Sequence, residues 1–367
     1  MHKAKSPKLN IFEIKLLTLA TIIACLIAMI FSYQSSPNRS SQKIDSKNQE
    51  TQKIKLDCHD KPFSQDCYIK DFYFLAKASG TELAKNVLSK LQEIDPTTND
   101  CHTIAHSIGR AAVEKNPDNW KQIIDGEDPN FCSGGFFHGA IEAHARFDNN
   151  FNVTGPEANN LCDYGNYPYR EGSCKHALGH IILVDTQGNL AKAVTTCDLI
   201  KPPFEDECYG GVFMENVVRQ NLKDHGIGVQ YNWDRQYANK NEVVCQNQLG
   251  KAAKGCWGEM GHLYAAINND EGEKTFQECY KAREQSFIDN CYKLAIQKMS
   301  VTADQPKLNR ACNVYTNLES KYTQCVGYVI SSITNTSANL KTKGINFCDS
   351  LLEIYKKDCL NQIEKTH

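Results

Sequence analysis

The chain has 367 residues, with 41 lysines and arginines against 43 aspartates and glutamates, for a formal net charge of -2. That balance leaves no cationic surplus for phosphates and argues against nucleic acid as a partner. Hydrophobic residues at 41% exclude a wholly disordered chain.

Residues 16–33 (LLTLATIIACLIAMIFSY) form an uncharged apolar stretch of 18 residues, about the minimum for a membrane-spanning helix. Lys3, Lys5, Lys8 and Lys15 precede it, opposed only by Glu13. The positive-inside rule then keeps residues 1–15 cytoplasmic and exports the rest, giving a single-pass anchor. Its ectodomain would face the periplasm, the cell exterior or another oxidising compartment. Two other treatments of this leader stay open. One is a cleaved signal peptide, although no A-x-A site follows the apolar run. The other is lipidation at Cys25 of a lipobox-like Ile22-Ile23-Ala24-Cys25, although apolar residues follow it. Residues 34–54 are polar and aperiodic and read as a flexible tether.

The ectodomain, residues 55–367, is written around cysteine. The chain has 17, and 16 lie beyond Cys25. In a chain with an apolar leader, that even number points to a disulfide framework. They fall in pairs: Cys58/Cys67, Cys162/Cys174, Cys197/Cys208, Cys245/Cys256, Cys279/Cys291, Cys312/Cys325 and Cys348/Cys359, with Cys101 and Cys132 left to pair together. The second member of each pair opens an apolar, helix-like run. These openings recur at steps of 34, 31, 42, 34, 48, 35, 34 and 34 residues. A step near 34 is the length of one helix, a turn, a second helix and a link. The expected fold is therefore all-α, an α-solenoid of about nine helical hairpins, each bond joining one hairpin's end to the next hairpin's start. Zinc-finger cysteines need much closer spacing within a pair. Longer insertions fall at 147–160 and 223–240.

Trp257-Gly258-Glu259-Met260-Gly261-His262-Leu263-Tyr264 is similar to the first-helix signature W-x2-L-G-x2-Y of tetratricopeptide repeats, with Met in place of Leu, and Leu178-Gly179 keeps the centre of that signature. The chain thus resembles cysteine-rich, secreted relatives of that repeat class. The likeness runs from 58 to 367 by period, but by motif over two or three units. It implies a concave groove, faced by the positions two and six residues after each run-opening cysteine, and a protein or peptide ligand there.

Eight of the 11 histidines lie between 102 and 262, and the last three units hold none except His367. His138, His180 and His262 all fall six residues after the run-opening cysteine, with Met214 in the same place in the intervening unit, and His176 falls at two. His102/His106, His138/Glu142 and His176/His180 are spaced i, i+4, and Glu259/His262 i, i+3, so each pair shares a helical face. Imidazole with carboxylate suits zinc, iron or copper. The expected centre is His138, His176 and His180, with Glu142 beside it and His262 or Glu215 approaching from later units. His102/His106 stand one step out of register, and Glu259 completes a single copy of an E-x-x-H motif. His59, His144 and His225 have no evident partner.

Against a metal stands a structural explanation: Gly134-Gly135, Gly210-Gly211 and Phe136-Phe137 suggest tight helix packing, with histidines filling polar gaps. No C-x-x-C-H attachment site, Walker loop or dinucleotide fingerprint is present, which leaves out c-type haem and nucleotides. No catalytic residue is assigned, and the sequence leaves binding and catalysis open.

Overall fold

Apolar residues recur at helical spacing throughout residues 55–367, broken by short Gly, Asn and Pro segments, and the chain folds accordingly into helices. The computed structural model describes residues 53–365, except 55–56, 60–63, 96–97, 99–100, 129–130, 148–152, 154–155, 164–167, 219–232 and 337–339. They belong to one unit, Thr51–His367. The expected anchor at 16–33, Cys25 and most of the tether lie outside the described residues. Among the described residues there is no strand, and no helix is long and apolar enough to cross a membrane.

Long and mostly shorter helices alternate. They are α1 (Ser64–Ser79) and α2 (Thr81–Ile94), α3 (His102–Lys115) and α4 (Trp120–Asp125), and α5 (Gly135–Phe147) and α6 (Pro156–Leu161). Next come α7 (Pro168–Asp185) and α8 (Leu190–Cys197), α9 (Glu205–Val218) and α10 (Arg235–Gln246), and α11 (Gly250–Ile267) and α12 (Gly272–Cys279). The series ends with α13 (Gln285–Thr302) and α14 (Gln305–Arg310), α15 (Glu319–Thr336) and α16 (Lys341–Asp349), and α17 (Glu353–Lys365). Side-chain caps start several of the second helices. Asn189 accepts from the Lys192 amide at 3.1 Å before α8, and Asp304 accepts from the Lys307 amide at 2.9 Å before α14.

Each odd-numbered helix packs against the next, from α1 on α3 through to α15 on α17. Several second helices, α2, α4, α8, α12 and α16, sit against the two long helices that flank them. The core is the seam between long helices, filled by residues such as Tyr68, Phe72, Ile104, Phe136, Phe213 and Tyr264.

Eight disulfides close this arrangement, in the pairs that the spacing predicts. Cys58 bonds Cys67, Cys101 bonds Cys132, Cys162 bonds Cys174 and Cys197 bonds Cys208. In the second half Cys245 bonds Cys256, Cys279 bonds Cys291, Cys312 bonds Cys325 and Cys348 bonds Cys359. Their Cα–Cα distances run from 5.3 to 5.7 Å. Such a framework persists in an oxidising compartment.

Helix starts differ from expectation. Cys174, Cys256, Cys291, Cys325 and Cys359 lie more than a turn inside helices that begin upstream of them. Cys67 and Cys208 do not open their helices either. α1 begins at Ser64, and α9 begins at Glu205, so each cysteine lies in a first turn already under way. The physical reason at Cys208 is the acidic run Glu205-Asp206-Glu207, which favours a helix N-terminus by complementing its dipole. Only α3 and α5 start just after their cysteines. Cys101 caps α3, while Cys132 and Ser133 adopt left-handed backbone (φ 50° and 55°) before α5. The bond between Cys101 and Cys132 therefore joins the starts of two neighbouring long helices.

Close approach of the long helices depends on glycine. A Cβ at Gly139 on α5 would sit 2.0 Å from the His106 carbonyl oxygen on α3, and one at Gly211 on α9 would sit 1.9 Å from the His176 carbonyl oxygen on α7. Gly327 on α15 faces open space. Gly139→Ala should therefore destabilise the protein by about 1–3 kcal/mol through overpacking. Gly327→Ala should be neutral or stabilise by up to about 1 kcal/mol through helix propensity. Thermal unfolding of the two variants compares them directly.

Candidate metal centre

Where α3, α5 and α7 pack side by side, five imidazoles converge. Backbone contacts set their positions. The α3–α5 crossing brings Gly135 and Gly139 against the carbonyls of His102 and His106, and the α7–α9 crossing brings Gly211 against that of His176. The histidine-bearing stretches are thus themselves points of close helix contact. His138 and Glu142 project from α5 between the pair on α3 and the pair on α7.

The ring centroids of His102 and His106 lie 4.8 Å apart, and those of His176 and His180 lie 5.0 Å apart. His138 stands between the two pairs, 5.2 Å from His102 and 5.0 Å from His176. Two sets of three, His102/His106/His138 and His138/His176/His180, each offer ligand atoms within 4.8 Å of one another.

Hydrogen-bond partners orient the rings. The Cys132 carbonyl oxygen lies 3.1 Å from Nδ1 of His102, so that nitrogen donates and Nε2 carries the lone pair. Nε2 of His106 is 3.2 Å from Nε2 of His102. Two nitrogens ligating one tetrahedral ion lie about 3.3 Å apart, given bonds of about 2.0–2.1 Å. On its other side His106 presents Nδ1 to Glu142 Oε1 at 3.6 Å. His180 donates from Nδ1 to Glu215 Oε2 at 2.8 Å, with Glu142 Oε1 at 4.0 Å. Both ring nitrogens of His138, and Nε2 of His180, are buried without a hydrogen-bond partner. Nε2 of His176 faces the Met214 thioether sulfur at 3.5 Å. An outer ring nitrogen tied to a carbonyl or carboxylate, with the inner one bare, is the way protein imidazoles are held toward metals.

Burial and the neighbouring imidazoles keep His138 and His176 well below the usual histidine range, and both are neutral at neutral pH. Protons therefore compete weakly with a metal at these two rings. Metal binding at these two rings should therefore weaken only below about pH 6.5, the ordinary histidine value.

The structure brings His138, His176 and His180 into one group and sets Glu215 on His180. Glu142 faces the Nδ1 sides of His106 and His180. It also draws in His102 and His106, which counting from cysteines places out of register. The reason is the helix start: α3 and α5 begin at their cysteines, whereas α7 and α9 begin before Cys174 and Cys208, so equal offsets mark different heights. Cys208 serves the site through its backbone. A Cβ at Gly179, next to His180 on α7, would meet the Cys208 carbonyl oxygen at 2.2 Å. His262 and Glu259 pair with each other instead of joining the centre, Nδ1 to Oε2 at 2.9 Å. The histidines are not spread along the surface of a groove. His180 and Glu215 are 0% exposed and His138 5%, so the cluster is a buried centre beneath a cavity of about 1100 Å³. That cavity is lined by His102, His138, His176 and His262 together with Trp233 and Lys298.

His59 lies 2.8 Å from buried Asp95, and His144 stacks on Trp120 at 3.7 Å. His225 lies outside the described residues. Another proximity, Cys58 and Cys67 beside Asp71, has its sulfurs committed to a disulfide. The bracing Cys132 carbonyl escaped sequence reading, because a backbone group carries no residue signal. No family model matches this chain, and neither does any curated protein or solved structure.

Acid should destabilise the metal-free protein in a defined way. The unfolded chain takes up protons on these histidines near pH 6.5, whereas folded His138, surrounded by His102, His106, His176, His180 and Glu142, takes up its proton only at lower pH. The same holds for His176. Unfolding free energy should therefore fall below about pH 6.5, by up to about 1.4 kcal/mol per pH unit for each of the two rings. Urea unfolding between pH 7.5 and 5 measures this slope, and His138→Leu should remove one ring's share.

Proposed function

We propose that this chain is a membrane-anchored, extracytoplasmic α-solenoid of disulfide-stapled, tetratricopeptide-like hairpins whose middle units bind a transition metal. The observation that carries the metal reading is the set of three buried ring nitrogens, two on His138 and one on His180, that have no hydrogen-bond partner. Leaving such a group unsatisfied costs about 1–3 kcal/mol, and a metal ion would satisfy it. The imidazoles and nearby carboxylates suit zinc, iron or copper, and the Met214 thioether beside His176 favours copper(I) among them. The adjoining cavity gives a small substrate or a peptide access to His102, His138 and His176, which supports a metalloenzyme as much as a carrier. A metal-free peptide-binding scaffold uses the same cavity but leaves the bare imidazole nitrogens without a role.

The oxidised protein, stripped with chelator and dialysed against zinc, iron(II) or copper, should retain stoichiometric metal. His138→Leu should weaken retention at least 10-fold while leaving metal-free stability unchanged or higher, because it removes nitrogens that bond to nothing else. His144→Phe, which keeps the stack on Trp120, should bind as the native chain does. If none of the three metals is taken up, the metal reading fails and the cavity is a surface for peptides.

Met214 provides a separate check on metal identity. Met214→Leu should lower copper(I) affinity about 10-fold or more and leave zinc(II) affinity nearly unchanged, as competition against chelators of known affinity would show.

A further inference from the structure

The five imidazoles are more than one tetrahedral ion can use, and they are not arranged as a single shell. The two three-histidine sets have only His138 in common. On one side, Nε2 of His102 and Nε2 of His106 face each other at 3.2 Å. On the other, His180 holds a bare, buried Nε2 next to His176. Each side has its own brace, the Cys132 carbonyl for His102 and Glu215 for His180. Glu142 does not merge the two sides into one shell, because it faces Nδ1 of both His106 and His180, the side of each ring away from Nε2. His138, between them, can give any one ion only one of its nitrogens, and both are buried without a partner.

We infer that the cluster holds two transition-metal ions, one on His102 and His106 and the other on His176 and His180, with the His138 ring bridging them through its two nitrogens. This rests on the metal reading above. The first ion binds the lone-pair nitrogen of neutral His138. The second takes the place of the proton on the other nitrogen, which leaves to water, so the bridge is an imidazolate and one proton is released per second ion bound. The negative ring, with Glu142, Glu215 and Glu207, the last 3.9 Å from Nδ1 of His176, offsets part of the charge of two divalent ions.

The test is a count of ions. The full-length oxidised protein, freed of metal and dialysed against zinc(II) or copper(II), should carry two ions per chain by elemental analysis. The His102→Ala/His106→Ala double variant should carry one, His176→Ala should carry one, and His262→Ala should still carry two. With copper(II), the electron paramagnetic resonance intensity per ion should drop as the second equivalent enters, because the bridge couples the two spins. One ion per native chain overturns the two-ion inference and leaves metal binding standing, whereas none overturns both. Two ions retained by the double variant would mean that the second lies elsewhere, and this inference would fall. If a variant loses helix by circular dichroism, the native count and the copper spin coupling decide.

Discussion

Helix separation governs this centre. His102, His106 and His176 each offer their own carbonyl as the surface on which the neighbouring long helix rests, and each of those contacts is made by glycine. A side chain at Gly135, Gly139 or Gly211 would push the helices apart and carry the imidazoles with them. The distances among ring nitrogens therefore depend on backbone packing more than on side-chain choice. The bond between Cys101 and Cys132 acts in the same direction, since it joins the starts of α3 and α5, the helices carrying His102, His106 and His138. It also fixes the turn whose carbonyl braces His102.

Bringing five imidazoles together works against stability unless their buried polar atoms are satisfied. The structure satisfies them unevenly. Outer nitrogens meet a carbonyl or a carboxylate, while the inner atoms of His138 and His180 meet nothing. The lowered proton affinity of His138 and His176 belongs to the same picture, because each ring is surrounded by others that would repel a second positive charge. A cluster that resists protons while exposing lone pairs to its own centre is prepared for a cation that binds lone pairs more strongly than a proton does. The oxidised cysteines leave this to the histidines and their carboxylate and thioether neighbours, since none of the paired thiols is left to ligate.

Much of the scaffold was legible in the sequence because cysteine spacing is a covalent constraint printed residue by residue. A nearly constant interval within pairs and a step near 34 between them were enough to anticipate the disulfides and the alternation of helices. Helix starts were less legible, because a cysteine such as Cys208 marks where a bond must reach and not where backbone hydrogen bonding begins. The centre was legible in part. His138, His176 and His180 stood out because i, i+4 spacing, between His176 and His180 and between His138 and Glu142, survives folding. His102 and His106 looked displaced because the offset was counted from cysteines, which sit at different depths relative to the starts of α3, α5 and α7. Glu259 and His262 looked like contributors from a later unit. On one helix at i, i+3 they satisfy each other first. The approach of Met214 to His176 and the brace from the Cys132 carbonyl depend on tertiary packing, for which a single sequence carries no direct signal.

The last units of the chain separate packing from site. At the crossing of α11 and α13, a Cβ at Gly261 would meet the Cys291 carbonyl oxygen at 1.9 Å, as close an approach as at Gly139 or Gly211. Yet α13 contains no histidine, and its contact face is filled by Cys291, Tyr292, Ala295 and Met299. Tight crossing over glycine is thus a property of the scaffold wherever two long helices need it, and apolar side chains complete it without loss. Histidines that merely filled gaps would be expected on α13 as well, because its seam with α11 has the same construction. Their concentration on α3, α5 and α7, with bare buried nitrogens on His138 and His180, is what packing alone leaves unexplained and a metal ion would account for.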